Sequence, residues 1–259
     1  MTTKPTTEGK CLYCNQNISK SLFNKHLQKH LNEKIKTNKP GKSFLLKVET
    51  EKAWGPTPYF LFLWMDGEAK LSVLDDFLRD IWLECCGHMS SFTDIAAKKT
   101  NGGMWDFSEV NSLLQKGKIK EYEKLMEENT GELPKSAKVS AKFHKGLQLD
   151  YQYDFGSTTS LFISVVAEYP IKGDDKIVLL TRNNIPDIKC GVCNEKNATK
   201  ICTAHGYDET NLFCESCAKK HKKECDDFAD YASMPFVNSP RAGVCAYEGG
   251  TIDIERDNH

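Results

Sequence analysis

The sequence predicts an α+β fold: a central antiparallel sheet with packed helices, flanked by two small metal-stapled modules. Three observations carry this. Apolar runs of strand length at 43–49, 59–65, 161–166 and 177–180 share the chain with stretches of helical period. The run Leu147, Leu149, Tyr151, Tyr153, Phe155 alternates strictly with Gln148, Asp150, Gln152, Asp154, giving one buried and one wet face. Cysteines and histidines fall in short-spaced pairs near both ends.

Length and charge bound the organisation. At 259 residues, two or three units are expected. The opening MTTKPTTEGK has no apolar core and the longest apolar run, 59–65, is far short of the roughly 20 residues of a membrane span. The expectation is a soluble, non-secreted, cytoplasmic chain without a membrane partner, in which most of the 11 cysteines sit in short-spaced zinc-binding pairs and do not form disulfides. The net charge of -1 hides an asymmetry. Residues 1–42 carry Lys4, Lys10, Lys20, Lys25, Lys29, Lys34, Lys36, Lys39 and Lys42 against Glu8 and Glu33, whereas 226–259 are acidic, so the tail is expected to dock on the arm.

The first unit, 1–31, holds Cys11-x-x-Cys14 and His26-x-x-x-His30, four zinc ligands at knuckle and helical-turn spacings. It resembles a Cys-Cys-His-His finger, with Ile18, Phe23 and Leu27 as its small core. Burying these three is worth about 2 kcal/mol each, against about 1.5 kcal/mol per ordered residue, a gap that metal binding of about 10–16 kcal/mol closes. In a base-reading finger Ser19, Leu22 and Lys25 would face the bases, and Leu22 offers no hydrogen bond. Lys20, Lys25 and Lys29 are the candidates for phosphate contact. Residues 32–42 read as a basic linker; Gly41-Lys42-Ser43 is no phosphate loop, because Lys36 stands where that motif needs glycine.

The second unit, 43–187, is the large core. Two strands at 43–49 and 59–65 flank a turn with Gly55, Pro56 and Pro58. A helix follows, capped by Ser72 ahead of Asp75, carrying Leu74, Phe77, Leu78, Ile81 and Trp82 on one stripe and ending near Gly87. Further helices are expected near 108–116, 119–128 and 136–145. The strands at 161–166 and 177–180 read as interior strands of a meander.

The segments Leu78-Arg79-Asp80-Ile81-Trp82-Leu83-Glu84, Gly87-His88-Met89-Ser90-Ser91-Phe92 and Tyr151-Gln152-Tyr153-Asp154-Phe155-Gly156 resemble the Ri-plasmid ORF-three-like domain family. The resemblance covers about 43–182 and implies a compact α+β domain without implying a reaction. It departs after Gly156, where Ser157-Thr158-Thr159 replaces the family's acidic-Trp-His run.

The third unit, 188–228, contains Cys190, Cys193, Cys202, His205, Cys214, Cys217, His221 and Cys225, eight ligands for two complete zinc sites. With every position filled by protein, these are structural metals. The array resembles a B-box, which implies a cross-brace: Cys190, Cys193, Cys214 and Cys217 on one ion, and Cys202, His205, His221 and Cys225 on the other. Sequential pairing stays open, because the segment from His205 to Cys214 is long. The resemblance further implies contacts with protein. Segment 229–259 is expected to pack back on the centre, loose only from Thr251 onward.

Cys85, Cys86, His88 and Asp154 are the catalytic candidates, the first three as a nucleophile with its base or as three ligands of an open metal site, with His144 as a possible partner of Asp154. The blander reading makes the cysteines small apolar residues, His88 a strand histidine and Asp154 a turn organiser. Two function classes follow. The leading one is a non-enzymatic adaptor holding three zinc ions and contacting protein, with nucleic acid reached through the basic arm. The alternative is a hydrolase or transferase built on the four candidates.

Overall fold

The computed structural model describes residues 7–50, 58–100, 107–205 and 211–256. The chain opens with strands β1 (Glu8–Lys10) and β2 (Asn17–Ser19) and helix α1 (Lys20–Lys34). β3 (Pro40–Thr50) and β4 (Phe60–Asp66) lead to α2 (Leu71–Leu78), which runs into a π turn over Arg79–Leu83. Then come β5 (Ser90–Asp94), α3 (Ile95–Thr100), α4 (Phe107–Gln115), α5 (Ile119–Thr130), β6 (Glu132–Leu133) and α6 (Val139–Lys142). β7 (Gln148–Tyr153), β8 (Thr159–Ile171) and β9 (Ile177–Arg182) complete the centre. The C-terminal part holds β10 (Lys200–Cys202), β11 (Leu212–Phe213), α7 (Glu215–His221), α8 (Asp226–Asp230) and β12 (Ser233–Pro235).

Seven strands form one antiparallel sheet in the order β6-β5-β7-β8-β3-β4-β9, so the fold class is α+β as the periodicities predict. The meander is corrected. β3, 11 residues long, takes the free side of β8, and β9 crosses over to become the edge strand beside β4. Gly173 allows that crossing: its amide bonds Asp66 Oδ2 at 2.8 Å, and a Cβ there would stand 3.2 Å from the Asp66 side chain.

Both faces of the sheet are covered. Phe44, Leu46 and Val48 of β3 and Leu61, Leu63 and Met65 of β4 point to one core with Leu74, Leu78, Ile81 and Trp82. Leu45, Phe60, Phe62 and Trp64 point to the other, which is closed by Phe23, Leu27 and Leu31 of α1. This explains why the first two strand runs are apolar at successive positions. Along β8 every second residue is buried, yet Ile163 and Val165 face the first core while Ala167, Tyr169 and Ile171 face the second. A register shift between Leu45 and Leu46 against β8 makes the switch, since one extra residue turns the same alternation to the opposite side.

The N-terminal unit is therefore a layer of the main fold. Phe23 meets the Phe60 and Phe62 rings at 5.8 Å each, and Lys20 Nζ pairs with Glu49 at 2.7 Å. The expected finger core is extended: Phe23 and Leu27 are fully buried with half-buried Ile18 packed against them, and Leu31 joins them, so the sheet supplies apolar burial that a free finger lacks. The expected linker shrinks as well, because α1 continues to Lys34 and β3 begins at Pro40.

Three local expectations differ in the centre. Lys70, with no side-chain cap, precedes α2, and Ser72 plays no capping role. Asp75 is instead buried, accepting hydrogen bonds from Ser90 Oγ at 2.6 Å, Tyr151 OH at 2.8 Å and Lys135 Nζ at 2.9 Å. The helix ends at Leu83, not Gly87, because the π turn sets Ile81, Trp82 and Leu83 into the core in succession and Glu84 leaves it extended. Of the helix expected at 136–145, only Val139–Lys142 is helical. Gly55 and Pro56 lie outside the described residues.

The C-terminal segment runs over the central sheet. Arg182 Nη2 donates to Asn238 O at 2.6 Å, Ser239 Oγ to Trp82 O at 2.6 Å, and Thr251 N to Asp80 O at 2.7 Å. Gly250 sits so close that a Cβ would meet Ile81 O at 2.5 Å. Acidic Asp253 pairs with Arg182 of the sheet, in place of the expected docking on the lysine arm.

Candidate metal centres

Two local sequences make the same knuckle. In Cys11-Leu12-Tyr13-Cys14-Asn15 and Cys190-Gly191-Val192-Cys193-Asn194, the asparagine amide donates to the first cysteine's carbonyl at 2.9 Å in both. Asn15 and Asn194 have φ of 58° and 55°, a left-handed conformation that asparagine tolerates. Each knuckle aims two thiols the same way and leaves an apolar tip in solvent, Leu12 50% and Val192 60% exposed.

The structure brings the twelve predicted ligands into three groups of four, all ligand atoms of a group within 4.8 Å of one another. A tetrahedral zinc with bonds of about 2.3 Å to sulfur and about 2.0 Å to nitrogen requires ligand edges of roughly 3.8 Å for S–S, 3.5 Å for S–N and 3.3 Å for N–N. In the first group Cys14 Sγ lies 3.4 Å from His26 Nε2, and His26 Nε2 lies 3.2 Å from His30 Nε2. α1 supplies both imidazoles, one turn apart. Burial, aided by His30 and Lys29, lowers the pKa of His26 and favours the neutral form that a cation needs.

The C-terminal groups interleave along the chain: Cys190 and Cys193 meet Cys214 and Cys217, while Cys202 and His205 meet His221 and Cys225. Cys193 Sγ lies 3.9 Å from Cys214 Sγ. α7 divides its ligands, sending Cys217 to one group and His221 to the other. Phe213 stacks on His221 at 4.3 Å, and Phe228 closes the other side at 4.9 Å. The Cys225 thiol caps α8 by accepting from Phe228 N at 3.4 Å. A hydrogen bond with Ser216 and the Cys217 amide holds the Cys214 thiol down at about 6, so it ionises early.

Three of the four catalytic candidates belong to a fourth group, completed by a residue that the spacing argument missed. Cys85, Cys86 and His88 gather with Cys245 of the C-terminal segment, again within 4.8 Å. Asp154 is corrected: it is buried, at φ 63°, and not on a wet face. Its Oδ1 accepts from Gly156 N at 3.0 Å and Ser157 N at 3.2 Å, fixing the turn, while Arg241 Nη2 bonds its Oδ2 at 2.6 Å. Arg241 above all holds the Asp154 carboxyl at about 2. His144 lies apart, in a hollow with Asp94 and Gly146. The signal for the missed residue was arithmetic: Cys85, Cys86 and Cys245 are the three cysteines left outside the predicted groups.

Of the phosphate candidates, Lys25 and Lys29 are exposed on α1, whereas Lys20 is held by Glu49. Ser19 is half-buried, and Leu22 is 60% exposed. Among the described residues, no helix is long and apolar enough to cross a membrane.

No protein-family model and no curated relative matches the chain. Among solved structures, the crystal structure of a protein of unknown function from Methanosarcina mazei Go1 is similar, at 16% identity and TM-score 0.34, over 54% of this chain and 67% of that one. What the protein does has to be read from its own side chains.

Proposed function

We propose that this protein is a non-enzymatic, zinc-organised adaptor of the cytoplasm that offers surfaces to a protein partner. The carrying observation is that each of the twelve predicted ligands falls in a group of exactly the size that saturates a tetrahedral ion. A saturated zinc has no position for water or substrate and acts by shaping the chain. Three ions belong to this reading. The two interleaved C-terminal groups support a B-box-like module, and the Asp154 turn supports the Ri-plasmid ORF-three-like reading of the centre.

Protein contact is favoured over base reading. Leu22, at the central reading position, is exposed and without hydrogen-bonding groups, and the knuckle tips Leu12 and Val192 are exposed and apolar. Lys25 and Lys29 keep a phosphate contact within reach, but Lys20 is spent on Glu49. The test is a zinc count by elemental analysis on protein purified without chelator, paired with anisotropy titrations against duplex DNA, single-stranded DNA and RNA at several salt concentrations. At least three zinc ions per chain and no salt-sensitive binding are expected. Fewer than three ions overturns the adaptor; binding that weakens with salt and is lost in Lys25→Ala/Lys29→Ala moves the partner to nucleic acid.

A further inference from the structure

We propose that Cys85, Cys86, His88 and Cys245 form a fourth zinc site, which clamps the C-terminal segment onto the central domain. The spacing supplies at most three ligands, because Cys245 lies 157 residues beyond His88. The fold closes that distance.

The edges fit the metal. Cys86 Sγ to Cys245 Sγ is 3.8 Å and His88 Nε2 to Cys245 Sγ is 3.3 Å, beside roughly 3.8 Å and 3.5 Å for a tetrahedral zinc. Three sulfurs and one imidazole are a soft donor set that selects zinc over the hard cations magnesium and calcium.

Charged groups surround the centre. Three thiolates and a neutral imidazole around a dication leave one negative charge; Arg241 stands beside it, sharing its charge with Asp154, whose Oδ2 lies 3.6 Å from His88 Nε2. Arg241, with no solvent exposure, directs Nη2 to Cys85 Sγ at 3.4 Å, while Nη1 is fixed on Ser157 O at 3.1 Å and Thr159 Oγ1 at 3.0 Å. Tyr153 OH lies 3.9 Å from Cys85 Sγ. The loop bearing the first three ligands is also fixed. Glu84 Oε1 accepts from Gly87 N at 2.5 Å and Tyr153 OH at 3.1 Å, and Gly87 turns the chain at φ 73°. On the opposite side Cys245 itself takes φ 48°, a conformation that costs a non-glycine residue energy and that a metal bond would offset.

This site is the most exposed of the four: Cys86 and Cys245 both face solvent, against His205 alone among the ligands of the other three. Its ion is therefore the first that a competing chelator reaches, and its loss frees the segment around Cys245 while leaving the sheet intact.

The inference goes beyond the adaptor reading, and the two fail separately. Zinc is counted in native mass spectra of the full chain, wild type and Cys245→Ala. Four ions in the wild type and three in Cys245→Ala are expected, with Cys245→His restoring the fourth and hydrogen exchange over 236–252 faster in Cys245→Ala. Limiting chelator should remove one ion from the wild type before the rest, and cobalt(II) taken up there should give the thiolate charge-transfer band of a three-sulfur site. Three ions in the wild type, or four retained in Cys245→Ala, overturns the fourth site and leaves the adaptor standing. A disulfide between Cys86 and Cys245 in wild type carrying three ions overturns it too. Fewer than three ions strikes the adaptor itself.

Discussion

Arg241 donates to Asp154 at 2.6 Å with side-chain exposures of 0% and 7%, an ion pair closed off from water. The same guanidinium lies 4.8 Å over the Tyr153 ring and reaches Ser157 O, Thr159 Oγ1 and Cys85 Sγ. One residue of the C-terminal segment thus satisfies the turn after β7, the start of β8 and the end of the π turn. Replacing it strands a buried carboxylate. Arg241→Met is expected to release the segment, raising amide exchange over 236–252 by about tenfold or more. Arg241→Lys should not rescue it, since a point cation cannot serve the fork's four partners.

Phe23→Ala is expected to cost about 3–5 kcal/mol of stability, the range for truncating a buried aromatic. Leu22→Ala, one residue earlier on the exposed side of α1, should stay within about 0.5 kcal/mol. Urea midpoints of zinc-loaded protein separate the two. Equal, small effects would mean that α1 does not cover the sheet.

Glu49 reports the same docking through its acidity. Burial raises its pKa, but the hydrogen bonds and charges of Lys20 and Lys47 outweigh this, so the folded value lies below the ordinary one. A depressed carboxylate stabilises the fold in full above its unfolded pKa of about 4.3 and loses that contribution as pH falls through the lower folded value. A carbon-13 titration should place Glu49 below ordinary glutamate, and Lys20→Met should shift it upward. An unchanged midpoint in Lys20→Met would break the link between α1 and the sheet.

Asp75→Ala should destabilise by about 3–5 kcal/mol, because it leaves Tyr151 OH, Ser90 Oγ and Lys135 Nζ without their shared acceptor. Thermal melts test it. Glu68→Ala, removing the exposed partner of Lys138, serves as the control expected to leave the melt unchanged.

Metal removal should act unevenly. Among the described residues, the C-terminal module buries two small clusters, Cys202, Phe213, Ala218, Phe228 and Ala232, and Ala198 and Ile201 with Met234 and Phe236, too little to hold without ions. Excess chelator is expected to abolish chemical-shift dispersion over 188–228 while the strand resonances of β3, β4 and β8 persist. Loss of both together would mean that the sheet depends on the ions.

The parts legible from the sequence are those with a short repeat. Alternation in 147–155 marked β7, and ligand pairs spaced three or four apart marked every residue of the three predicted metal groups. What escaped depends on pairing across long separations. The face switch of β8 arises from a bulge against β3 that leaves its own alternation unbroken. Asp75 has the ordinary look of a helix-start acid until Tyr151 and Lys135 are placed beside it. Cys245 has no partner cysteine nearby in the chain, so neither its role nor that of Arg241 had a local pattern to reveal it.

The C-terminal segment also sets a timetable for synthesis. Asp154 meets Arg241 only after 87 further residues have been made, and Arg182 meets Asp253 after 71. While the nascent chain emerges, the sheet has its strands but not its counter-charges, and two polar pockets stay open to water. The stretch that seals them, carrying Arg241 and Asp253, is made after every strand of the sheet, so the sheet is expected to resist proteases only once that stretch has emerged.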